Sequence, residues 1–213
     1  MQPTIGGSQQ RKDYMMKRQF VCALALILAA PLALSAEEVD LEQLQSALEK
    51  YQDVNAALAA GYIPDPSGKC VSAGAEGLPA ELGAMGIHYL NPELLKVTGT
   101  DPRVNGMGTH TDWSRPGVLI YEPQADGTLT LVGVENLVFQ EAWKAAGNEG
   151  PPEINGRSWD TMADDPATEA DEAHGFAPHF DQHIWLFREP AAGGELEPFN
   201  ANVTCDHQAQ MKG

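Results

Sequence analysis

Positive charge is scarce in this 213-residue chain, where 13 Lys and Arg face 30 Asp and Glu for a net charge of −17. Such a surface repels phosphate backbones, which excludes nucleic acid as a partner. Cysteine is scarce as well, with three residues and no CxxC pair, the spacing that thiolate zinc sites use. The chain has no GxSxG elbow, no GxxxxGK[ST] loop and no GxGxxG opening a helix. Serine-elbow hydrolases, P-loop enzymes and dinucleotide-binding enzymes are therefore set aside. The main apolar run, Phe20 to Leu34, falls short of the roughly 20 residues of a membrane span, and Pro31 interrupts it.

That run has another reading. Arg11, Lys12, Lys17 and Arg18 precede it, and the small residues Ala33, Ser35 and Ala36 close it before Glu37 and Glu38. Charged, apolar and small-residue regions in that order make a secretory signal, here within residues 1–36, where Met15 or Met16 reads as the true start and Met1 to Tyr14 as an upstream extension. Export places residues 37–213 in the periplasm or outside the cell, as one domain that leaves the membrane after cleavage. It then carries nine basic and 29 acidic residues, a net charge of about −20. Cys22 leaves with the signal. Cys70 and Cys205 remain, and in an oxidising compartment they read as one disulfide; a thiolate metal site is the competing reading.

Leu41, Leu44, Leu48, Tyr51, Val54 and Leu58 recur at steps of three and four. This predicts an amphipathic helix over Asp40 to Ala60, started by Asp40 with Gln43 and stopped by Gly61. Ala84 to Asn91 alternates as a strand, with His88 beside Leu90 on one face. Gly117 to Asn136 reads as a hairpin turning at Asp126-Gly127, in a register that sets Leu131 against Glu122, Gly133 against Ile120 and Glu135 against Val118. Glu122 and Glu135 then share a face about 13 Å apart. Leu137 to Ala146 reads as a short helix. Thr98 to Pro116, which carries His110, and the acidic stretch Gly147 to Ala173 read as surface loops, the latter without calcium-hand spacing. The expected fold is α+β, an N-terminal amphipathic helix packed on an antiparallel sheet and stapled by one disulfide.

Three of the six histidines fall in one segment, His174 to Arg188. From Asp181 the residues alternate, placing Asp181, His183, Trp185 and Phe187 on one side. His88, Glu135 and His183 each lie in a predicted strand, on faces that can converge. Two imidazoles and a carboxylate suit zinc or copper, and an open position on the ion would make a catalytic site. Glu122 or His179 is then the candidate general base. In an extended chain His179 lies about 13 Å from His183, so it joins only if the strand bulges. The alternative is a non-catalytic module holding a small molecule in a pocket lined by Tyr89, Trp185 and Phe187.

The segments AALAAGYIP, GAMGIHYLNPELL, LIYEPQADGTLTLVGVE and GFAPHFDQHIWLFREPAAG, ending in FNANVTC, span most of the exported chain. Together they resemble a family of secreted bacterial proteins with no assigned activity. The resemblance implies one fold unit, with His88, Glu122, Glu135, His179 and His183 at the family's polar motif positions.

Overall fold

The computed structural model describes residues 38–168 and 171–211. The export signal read over residues 1–36, with Cys22, lies outside the described residues. In chain order the elements are α1 (Leu41–Leu48), α2 (Val54–Ala59), β1 (Ile63–Pro64), β2 (Cys70–Ser72), β3 (Ala84–Leu90), β4 (Val97–Gly99), β5 (Asn105–Gly106), β6 (Val118–Pro123), β7 (Leu129–Phe139), α3 (Gln140–Ala145), β8 (Glu153–Ile154), β9 (Arg157–Ser158), β10 (Asp160–Met162) and β11 (His179–Ile184). The fold is mixed helix and sheet. One antiparallel sheet runs β1-β3-β6-β7-β11-β10, with β2 also paired to β3, and β4–β5 and β8–β9 form two small hairpins. Among the described residues, no helix is long and apolar enough to cross a membrane.

The helix expected over Asp40 to Ala60 is broken. α1 passes into a 3-10 turn, Glu49–Gln52, and the chain then extends at Asp53, whose side chain caps α2 by accepting from Asn55 N–H. An aspartate that bonds its own local backbone competes with the helix interior. Leu44, Leu48, Tyr51 and Ala57 are buried in the largest core cluster with Ile87, Tyr89, Leu119, Tyr121, Leu131, Val134, Val138, Phe180 and Ile184. The Tyr121 hydroxyl donates to the Tyr51 carbonyl at 2.7 Å, joining this segment to β6.

The β6–β7 hairpin departs from its predicted register near the turn and returns to it farther on. Gly127, at φ 83°, ends a turn closed by its N–H donating to the Gln124 carbonyl, and Gln124 N–H donates to the Thr128 carbonyl. The loop therefore holds one residue more than a two-residue turn. Leu131 consequently faces Tyr121, not Glu122. A bulge opposite the Ile120/Tyr121 step then inserts Val132 and restores the count, so Gly133 faces Ile120 and Glu135 faces Val118 as expected. The helix expected over Leu137 to Ala146 begins only at Gln140, because Leu137, Val138 and Phe139 continue β7 against β11. These apolar, β-prone residues have a partner strand, which outweighs helical periodicity.

Cys70 and Cys205 form the disulfide, with Cα atoms 5.6 Å apart, tying β2 to the C-terminal segment. The acidic stretch after Gly147 is not wholly loop, since it contributes β8, β9 and β10. Arg103 pairs with both Asp164 and Asp171, fastening the stretch to the β4–β5 connection.

Candidate metal centre

Pairing and pleat decide which side chains meet. Across β11 and β7, Phe180, Gln182 and Ile184 lie opposite Val138, Asn136 and Val134, and this face joins the large core. The other face carries His179, Asp181 and His183 on β11, with Glu135 directly opposite His183. It continues through Val118 and Ile120 on β6 to His88 on β3, which lies opposite Ile120. Strand period two thus puts the polar groups of three strands on one side of the sheet.

Their side chains converge. His88 Nε2 stands 3.3 Å and His183 Nε2 3.6 Å from Glu135 Oε2, and potential ligand atoms of all three residues lie within 4.8 Å of one another. Around an ion bound at about 2.0–2.1 Å in a tetrahedron, ligand atoms stand about 3.3–3.4 Å apart, so these separations suit one ion. The two imidazole rings are nearly perpendicular, at 81°. Trp185 stacks on His183 with an interplanar angle of 20°, in space that Gly133 leaves free. A Cβ at Gly133 would come within 3.0 Å of the Trp185 ring.

Glu135 Oε2, His183 Nδ1 and His183 Nε2 are buried and have no hydrogen-bond partner among the described residues. Buried polar atoms are ordinarily paired, and an orphan costs about 1–3 kcal/mol. Three orphans in one cluster of nitrogen and oxygen donors make a group that could hold a metal ion.

The electrostatics agree. Burial drives the His183 pKa down, and the nearby His88 and His174 add to this against the opposing pull of Glu135 and Asp181. His183 is therefore held neutral, the form that binds metal. Burial also works against the His88 imidazolium, but Glu135, helped by Asp65 and Asp181, outweighs it and raises the pKa. Asp181 follows the same logic with opposite sign: burial would raise its pKa, and His179 and His183 hold it down.

His179 Nε2 lies 3.8 Å from Asp181 Oδ2, and Glu135, His179 and Asp181 form a second set with potential ligand atoms within 4.8 Å of one another. The bulge thought necessary to bring His179 in is absent from the β11 pairing with β7, which is regular. The two histidines are linked instead through Glu135, which belongs to both sets, and Asp181, at the same parity as His183, joins His179 in the second. Glu122 is not in either set. Its carboxylate pairs with Arg188, accepts from Thr204 N–H at 2.9 Å and accepts from Gln124 Nε2 at 3.1 Å, so it secures the C-terminal segment. His110 Nε2 lies 2.7 Å from the Arg115 carbonyl within its own exposed loop.

The aromatic pocket expected from Tyr89, Trp185 and Phe187 does not form. Tyr89 packs on Tyr121 inside the core, Trp185 is on the opposite sheet face, and Phe187, past the end of β11, packs on the Tyr89 side. A cavity of about 780 Å³ lies elsewhere, lined by Trp113, Trp143, Trp159 and residues of α1. No signal in the sequence joined these tryptophans, because they come from loops and a short helix far apart in the chain. No protein family, curated protein or solved structure matches this chain.

Proposed function

We propose that this is an exported metal-binding protein, holding a divalent transition ion, zinc or copper, through His88, Glu135 and His183. The observation that carries the proposal is the cluster of buried, unpartnered donor atoms on Glu135 and His183, with His88 Nε2 beside it. The side chains of the three residues are at most 6 % exposed. That degree of enclosure supports a closed, retained ion over an open catalytic one. An enzymatic role would require the chain over the site to open, with His179 rather than Glu122 within reach as base.

In this reading the N-terminal helical segment is the scaffold on the other sheet face. We propose also, on the motifs quoted above, that the chain belongs with the secreted bacterial proteins it resembles. A second reading, small-molecule binding, is favoured by the size of the tryptophan-lined cavity, which suits a drug-sized ligand. Elemental analysis of protein purified without added metal tests the first reading. Near-stoichiometric zinc or copper, lost from a folded His183→Ala variant, is the expected result. Metal-free protein whose stability is unchanged by either ion or by chelator overturns it.

A further inference from the structure

The five site residues fall into two ligand sets, and Glu135 belongs to both. We propose that the centre holds two divalent first-row ions bridged by the Glu135 carboxylate, the first on His88 and His183 and the second on His179 and Asp181. The proposal rests on the metal-binding reading and extends it from one ion to two.

Spacing is the first argument. His179, Asp181 and His183 stand at alternate positions of a regular strand, about 6.6–6.8 Å per step, and among the described residues no set of converging ligand atoms holds both His179 and His183. Glu135, opposite His183 and diagonal to Asp181, is placed to serve both ends of the row. A carboxylate has two oxygens and lone pairs enough for two ions. Paired ions in proteins typically stand about 3.5–4 Å apart, a distance one bridging carboxylate can span.

The orientation of His179 is the second. Its Nδ1 lies 2.9 Å from the Ala177 carbonyl, and a carbonyl only accepts, so Nδ1 carries the proton. Its Nε2 then faces Asp181 Oδ2 at 3.8 Å, beyond hydrogen-bond reach and with room for an ion between them. A backbone bond to the remote nitrogen is the usual support of a metal-binding histidine.

Charge balance is the third. Asp181 and Glu135 are both buried, and the cationic partners either can have among the described residues are histidines. Asp160 also sits directly opposite Asp181 across β10 and β11, a like-charge pairing that is unfavourable by itself. Arg157 reaches Asp160 at 3.4 Å but makes no ion pair with Asp181. A second cation beside Asp181 answers both deficits.

Native mass spectrometry of the full exported chain, loaded with zinc and freed of excess, tests this. Two zinc ions are expected on the wild type, one on Asp181→Asn, one on His179→Gln and one on His88→Gln. One ion on the wild type, unchanged in Asp181→Asn, overturns the second ion and leaves the single-ion reading standing. Two ions that both persist in Asp181→Asn place the second elsewhere and overturn the proposal. No zinc on the wild type sinks both readings. Should the Asp181 and His179 variants fail to fold, zinc-edge X-ray absorption on the wild type decides. A metal–metal distance of about 3.5–4 Å supports the bridge, and its absence in protein carrying two equivalents overturns it.

Discussion

Replacing His183 by Leu separates what its ring costs the fold from what it contributes with metal bound. In metal-free protein both ring nitrogens are buried without a hydrogen-bond partner among the described residues, and each such group costs about 1–3 kcal/mol. Leucine removes both, and the lost stacking on Trp185 offsets part of the gain. The expected result in chelator is a variant more stable than the wild type by about 1–3 kcal/mol. With free zinc at a thousandfold excess over its dissociation constant, the wild type gains about 4.1 kcal/mol by mass action. The variant, having lost a ligand, gains little. The order of stabilities therefore inverts on adding zinc, leaving the wild type ahead by about 1–3 kcal/mol. Urea unfolding followed by tryptophan fluorescence, in chelator and in buffered zinc, reads both differences. A variant less stable than the wild type in chelator, and stabilised by zinc to the same degree, would refute the reasoning.

Reduction of the Cys70–Cys205 bond, or a Cys70→Ser/Cys205→Ser double variant, releases a loop of 135 residues. The chain-entropy account puts the loss at about 5 kcal/mol, a fall in melting temperature of about 10–20 °C, readable by calorimetry. In metal-free protein, His88 has a folded pKa above its ordinary 6.5. The stability it contributes as imidazolium is fully present below that value and lost as pH rises through the folded pKa. The stability advantage of wild type over His88→Gln should shrink from pH 6 to pH 9 in chelator, and a constant difference would contradict the assignment. Glu122→Ala strands Arg188 and the Thr204 N–H and should cost about 1–3 kcal/mol. Zinc stoichiometry should stay unchanged, because the carboxylate holds the C-terminal segment and no ion.

The meeting of His88, Glu135 and His183 was legible because each lies on a strand with period-two alternation, on faces that antiparallel pairing can bring together. Glu135 faces Val118 as the two-residue turn predicts, but by way of two compensating irregularities. The extra residue in the Gln124–Thr128 loop and the bulge at Val132 are errors of opposite sign that cancel. Asp181 shares the parity of His183, but the spacing of the histidines carries no sign of the carboxylate between them. Strand rise measures Cα positions and misses side-chain reach, which is how His179 and Asp181 close the gap. The true partners of Glu122 come from Arg188 and Thr204, in a segment without periodicity, and no local pattern reports such contacts. The break at Asp53 was written in the sequence as an N-cap residue inside an apolar stripe, where periodicity outweighed it.

The account depends most on a metal ion lying among His88, Glu135 and His183. Anomalous diffraction at the zinc and copper edges, from crystals of protein purified without added metal, tests this most directly. The account predicts a peak about 2.0–2.2 Å from an imidazole nitrogen of both histidines and from a Glu135 oxygen. Density for an ordered water hydrogen-bonded to Glu135 and His183, with no anomalous signal at either edge in protein soaked with both ions, would contradict it.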